Sequence, residues 1–145
     1  MRKSWHEYFM DIAFTVASRS TCPKRRVGAV VVNDKKILST GYNGSPSGTE
    51  HCDHVGCLLN ADGNCIRTIH AEANAIAMLS EQGSTIYCTD QPCINCLKLI
   101  IAANIKTIYF RKPYENKDLE LFLQSVNSSK ISIYKFDHNG YEKVF

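Results

Sequence analysis

The chain predicts an α/β fold: a three-layer α/β/α sandwich on a mixed five-stranded sheet. Three observations lead there. From residue 85 onward, short β-branched runs alternate with helical ones, an order that brings strands together in parallel through right-handed crossovers. Before that, residues 27–32 and 37–41 are strand-like and flank Asn33-Asp34-Lys35-Lys36, the pattern of an antiparallel hairpin. An amphipathic helix opens the chain.

Taken in order, Ser4 and Glu7 make a capping box. Trp5, Tyr8, Phe9, Ile12, Ala13 and Val16 then recur at helical spacing, so the helix reaches about Ser18 and its aromatic stripe belongs in the core. Cys22-Pro23 and Arg25-Arg26 precede the hairpin. Residues 42–69 are rich in Gly, Ser, Asn and Asp and carry Cys52, Cys57, Cys65, His51 and His54. A loop this long inside a compact domain is functional or tied down by metal.

Residues 71–79 are apolar and Ala-rich, a buried helix stopped by Gly83. A strand at 85–89 ends beside Pro92, and a helix fills 93–103. A strand at 106–110, a helix at 118–126 and a last strand at 131–136 follow. Cys88, inside a strand, belongs in the core. Asn139-Gly140 turns the tail, 141–145, back across the surface.

The 145 residues suffice for one domain with a substantial core and are too few for two. The expected unit is therefore 1–145, with the Cys-bearing insert at about 42–69. Apolar residues make up 44%, but no run approaches a membrane span, so no membrane partner is expected. The first residues lack an apolar signal region, and seven Cys is an odd count, which together predict a reducing, cytoplasmic setting. A net charge of +3 does not demand a polynucleotide partner, and it suits a small anionic substrate.

Chemistry concentrates in His70-Ala71-Glu72 and Pro92-Cys93-Ile94-Asn95-Cys96. One His and two Cys offer Zn²⁺ three ligands and leave a fourth position for water, the mark of a catalytic zinc. Glu72 is badly placed to ligate the same ion and well placed to handle the protons of its water. His70 and Cys93 both open helices, whose N-terminal turns favour thiolate and hydroxide. A lone C-x-x-C also fits a redox pair, and a lone His a solvated cap. H-x-E together with P-C-x-x-C is the pattern of zinc-dependent nucleobase deaminases. Cys22, Cys52, Cys57 and Cys65 would make a closed structural Zn²⁺ site, with His51 or His54 able to replace one of them; the alternative is four free, small apolar side chains.

The motifs carry a resemblance. Arg26-Val27-Gly28-Ala29-Val30-Val31-Val32, Gly41-Tyr42-Asn43-Gly44-Ser45-Pro46-Ser47-Gly48, His51-Cys52-Asp53 and Ile69-His70-Ala71-Glu72-Ala73-Asn74-Ala75-Ile76, with the Pro92–Cys96 motif, resemble the cytidine and deoxycytidylate deaminase superfamily. Within it the chain is most similar to the deoxycytidylate (dCMP) deaminases of bacteria and their phages. The resemblance implies conversion of dCMP to dUMP and ammonia, feeding thymidylate synthesis, in the cytoplasm (the host's, if phage-encoded). It implies that Glu72 is the proton carrier, that Asn43 bonds the nucleotide and that the Ala71 N–H meets the base carbonyl. A second, non-catalytic zinc is in keeping with some relatives. It also implies a homo-hexamer activated by dCTP and inhibited by dTTP, with Mg²⁺ on the triphosphate. Gly44 would then lie near the effector, and Phe110-Arg111 would be the coupling segment. For the 5′-phosphate such a substrate carries, the candidate cations are Arg26 and Arg111, while Lys24 and Arg25 could equally serve a triphosphate effector. Two other readings remain open: a tRNA or other nucleic-acid deaminase, which predicts a basic face, and a non-catalytic zinc-binding module of the same fold.

Overall fold

Alternation along the first strand decides the architecture. β1 (Gly28–Asn33) turns Ala29 and Val31 to one side and Val30 and Val32 to the other, all buried. A strand buried on both faces needs cover on both. In the computed structural model, which describes residues 1–145, α1 (Trp5–Ala17) covers one side. There Phe9, Met10 and Ala13 pack on Val30, Val32 and Tyr87. The other side receives α3 (Ala71–Ala77), α4 (Ile94–Ala102) and α5 (Lys117–Ser125). Their Ala71, Ala75, Leu97, Ile100 and Leu119 form the larger core with Ile86, Ile108 and Ile133. This is the expected α/β/α sandwich.

The sheet order is β2-β1-β3-β4-β5-β6. β1 runs antiparallel to both β2 (Lys36–Tyr42) and β3 (Thr85–Asp90). β3, β4 (Thr107–Lys112) and β5 (Ser132–Asp137) are parallel, as the alternating elements predict. The sheet has six strands where the sequence predicts five. The sixth, β6 (Gly140–Lys143), comes from the turn at Asn139-Gly140: with Gly140 at φ +115°, the tail pairs antiparallel with β5 instead of lying loose across the surface.

α1 starts where its cap predicts, the Ser4 hydroxyl accepting from the Glu7 N–H at 3.2 Å. Its aromatic stripe is a correction: Trp5 is 50% and Tyr8 43% exposed. The buried face is Phe9, Met10, Ala13 and Ala17, with His6 turned to the sheet. Gly28 sets this rotation, because a Cβ there would lie 2.0 Å from the Ala13 carbonyl oxygen. Cys88 is fully buried in β3, as expected. The insert is pinched at its neck by paired backbone bonds between Gly44 and Ile69 and contains one helical turn, α2 (Cys52–Val55).

Candidate active site

Two chain reversals bring the motif residues together. His70 is the N-cap of α3, and Cys93 the N-cap of α4, just beyond the end of β3. α3 is pressed on the hairpin at Gly41, where a Cβ would stand 2.3 Å from the Ala71 carbonyl oxygen. The Asn74 amide donates to the Tyr42 carbonyl at 2.9 Å and the Ser39 hydroxyl to the Ala75 carbonyl at 2.8 Å, fixing the helix along β2. α4 is anchored by Leu97 and Ile100 in the core.

His70 Nδ1 thereby stands 3.5 Å from Cys93 Sγ and 3.4 Å from Cys96 Sγ, and the three donor atoms lie within 4.8 Å of one another. A nitrogen at about 2.1 Å and a sulfur at about 2.3 Å from a tetrahedral Zn²⁺ are about 3.6 Å apart. The donor triangle is therefore of the right size and chemistry for zinc. Its protons are already unevenly held. The Cys96 thiol, with help from His70, brings the Cys93 thiol down to about 3, while the Cys93 thiolate raises the His70 imidazole. Cation binding would displace the remaining protons. Glu72, in the first turn of α3, is only 4% exposed, and that burial raises its carboxyl above the ordinary range.

His70, Glu72 and Cys93 line a cleft of about 500 Å³, with Cys96 buried beneath them. Ala71 and Asn43 also line it. The Asn43 side chain is engaged with backbone, its amide donating to the Arg25 carbonyl at 2.7 Å and its oxygen accepting from the Val27 N–H at 2.8 Å. Among the candidate cations, Arg25 lines the cleft and Arg26 does not. Arg26 and Lys24 are exposed. Arg111 is on the α1 side of the sheet, its Nε donating to the Phe136 carbonyl at 2.9 Å and its guanidinium over Phe14 and Phe136. Phe110 is buried in the core, and Gly44 sits at the neck of the insert. The sequence reading missed Asp90, Gln91 and Tyr114, which also face the cleft. For Asp90 a signal existed, since it stands two residues before Pro92 at the end of a strand.

A second donor group lies in the insert. Cys52, Cys57 and Cys65 bring their sulfurs within 4.8 Å of one another, with Cys52 and Cys65 at 3.7 Å. Two thiolates on one tetrahedral Zn²⁺ are separated by about 3.8 Å, so this triangle also fits. Burial raises the Cys52 thiol to about 11; it also opposes ionisation of Cys65, but backbone N–H groups of Arg67 and Leu58 bring that thiol to about 7. Cys22 is outside the group, buried in the cleft wall. His51 Nδ1, next to Cys52 in the chain, is buried without a hydrogen-bond partner.

The fold and the donor triangle define a zinc-site protein of the deaminase type, and the sequence agrees. Residues 3–112 match the cytidine and deoxycytidylate deaminase zinc-binding region, and the chain belongs to that family. It is 47% identical over 131 residues to ComE operon protein 2 of Bacillus subtilis (strain 168), covering 86% of this chain and 69% of that one. It is 37% identical to the deoxycytidylate deaminase of Mycobacterium phage D29, covering 77% of this chain and 97% of the phage protein. The chain spans 39% of the yeast deoxycytidylate deaminase, which it also matches. Among solved structures, it is similar to the dCMP deaminase from cyanophage S-TIM5 in complex with dCMP and dUMP. The TM-score is 0.74 at 33% identity, covering 93% of this chain and 98% of that one. No helix is long and apolar enough to cross a membrane.

Proposed function

We propose that this chain is a zinc-dependent hydrolase converting dCMP to dUMP and ammonia. The observation that carries the reading is a buried carboxyl, Glu72, beside a His-Cys-Cys triangle of zinc-ligand dimensions. His70, Cys93 and Cys96 would hold the ion. Zinc, when bound there, supplies Lewis acidity and a water acidic enough to ionise near pH ~7. Glu72 takes a proton from the attacking water as the C4–O bond forms and delivers it to N3 of the cytosine ring. It then carries the second water proton to the exocyclic nitrogen. The C4–N bond breaks, ammonia leaves, and C4 keeps the oxygen as the uracil carbonyl. A carboxyl raised by burial suits both transfers, because its proton affinity moves towards neutral pH. Ala71, at the first position of α3, has a backbone N–H with no intrahelical partner and is offered to the base carbonyl. Asn43 has a free N–H and lone pair left for the sugar once its backbone bonds are counted. Arg25, in the cleft, is the cation for the 5′-phosphate.

The test is ultraviolet detection of dCMP deamination by the zinc-loaded chain, beside Glu72→Gln with its zinc content matched. Turnover that falls at least ~10²-fold in the variant is expected, the lower bound for a general acid–base group. An undiminished variant, or a wild-type chain acting only on tRNA, would end this reading.

We further propose a structural zinc on Cys52, Cys57 and Cys65, with Cys22 or His51 as fourth donor; the orphaned His51 Nδ1 favours the histidine. A single domain rests on the chain's length and a cytoplasmic setting on its odd cysteine count; hexamer assembly, activation by dCTP with Mg²⁺ and inhibition by dTTP, with Gly44 near the effector, rest on the family resemblance, and Lys24 is a cation available to the triphosphate. Sedimentation with and without dCTP and Mg²⁺ tests the assembly and its coupling. A six-subunit species is expected, and a monomer under both conditions would refute it.

A further inference from the structure

Arg25 is the only Lys or Arg among the residues lining the cleft, yet its side chain is 54% exposed. A long, solvated arginine is a poor anchor unless something holds it. Asp90 does so. Its Oδ2 accepts from Arg25 Nε at 2.9 Å and Nη2 at 2.7 Å. The carboxylate is itself fixed from behind: Oδ1 accepts from the Thr89 hydroxyl at 3.1 Å, and that hydroxyl's oxygen accepts from the Gly28 N–H at 3.1 Å. Thr89 is fully buried and Asp90 is 7% exposed, so the chain of bonds is built into the β1–β3 seam. Asn43 holds the other end of Arg25, through its carbonyl. The Tyr114 ring lies 6.0 Å from the guanidinium carbon. A guanidinium has five N–H donors, and Asp90 takes two, leaving three for a ligand.

We propose that Asp90 is a positioning residue for nucleotide binding, aiming Arg25 into the cleft to receive the substrate's 5′-phosphate. This rests on the dCMP reading given above. Two effects of Asp90 oppose each other. Its charge repels a phosphate, and its hydrogen bonds pre-organise the cation that attracts one. The rigid backing of the carboxylate by Thr89 and Gly28 makes orientation the larger effect.

The test is steady-state kinetics on dCMP with Asp90→Asn, Arg25→Gln, Arg25→Lys and the Asp90→Asn/Arg25→Gln double variant, each at matched zinc content. Asp90→Asn is expected to raise KM roughly tenfold with kcat changed less than about twofold, the weight of one hydrogen bond to a charged group. In the Arg25→Gln background it should add little. Arg25→Lys, which keeps the charge but cannot form the two-nitrogen contact, should resemble Arg25→Gln. A lowered KM in Asp90→Asn would show that repulsion dominates and overturn the proposal. So would a fall in kcat at unchanged KM, additive effects in the double variant, or a fully active Arg25→Lys. A wild-type chain that does not turn over dCMP would sink the underlying reading, and the inference with it.

Discussion

At the scale of single residues, the site depends on groups held away from their ordinary protonation. Glu72 is displaced by burial and Cys93 by its neighbours' hydrogen bonds, in the opposite direction. His6 shows the same physics far from the site. Its Nδ1 lies 2.7 Å from the Tyr87 hydroxyl, its ring packs on Tyr109, and burial lowers its pKa from 6.5. A histidine that folds with a lowered pKa takes up more protons unfolded than folded. Its contribution is therefore present above pH ~6.5 and is lost as pH falls through the lowered folded value. Urea unfolding from pH 7.5 to 5 should show a steeper loss of stability for the wild type than for His6→Gln; parallel curves would contradict this assignment. The motif residues are legible in the sequence because the proposed chemistry would fix them: three zinc ligands and a proton carrier have few substitutes. Arg25 and Arg26 were not distinguishable in this way. Adjacent residues in extended chain point to opposite sides, so a one-residue difference decides which guanidinium meets the cleft.

At the scale of elements, the strands and helices followed from periodicity, while their ends and faces did not. Arg111 was expected just past a strand that closed at 110. β4 continues to Lys112, so Arg111 falls inside it and shares the α1 face with Tyr109. On the other side of the same strand, Phe110 goes to the core. Trp5 and Tyr8 fit a helical stripe, but Gly28 rotates α1 so that Phe9, Met10 and Ala13 face the sheet. The apolar period gives a face to within about one residue step; the close approach of a particular glycine selects among the choices. The tail carries a turn signal at Asn139-Gly140, and whether Tyr141, Glu142 and Lys143 beyond it pair depends on the β5 edge being free.

At the scale of the molecule, the sheet separates two jobs. The α1 side holds an aromatic core around Phe9, Tyr87 and Phe136. The other side carries α3 and α4, whose first turns gather His70, Cys93 and Cys96 into one donor triangle and present His70, Glu72 and Cys93 to one cleft. The insert, pinched at Gly44 and Ile69, sends Cys65 and Thr68 to the cleft wall and gathers the sulfurs of Cys52, Cys57 and Cys65 into one group. The most direct test of the central claim is zinc per chain, by elemental analysis, in the wild type, Cys57→Ala and Cys93→Ala/Cys96→Ala. Two zinc ions in the wild type and one in each variant are predicted, with dCMP turnover abolished in the Cys93/Cys96 pair. Zinc content unaffected by loss of Cys93 and Cys96 would contradict the account.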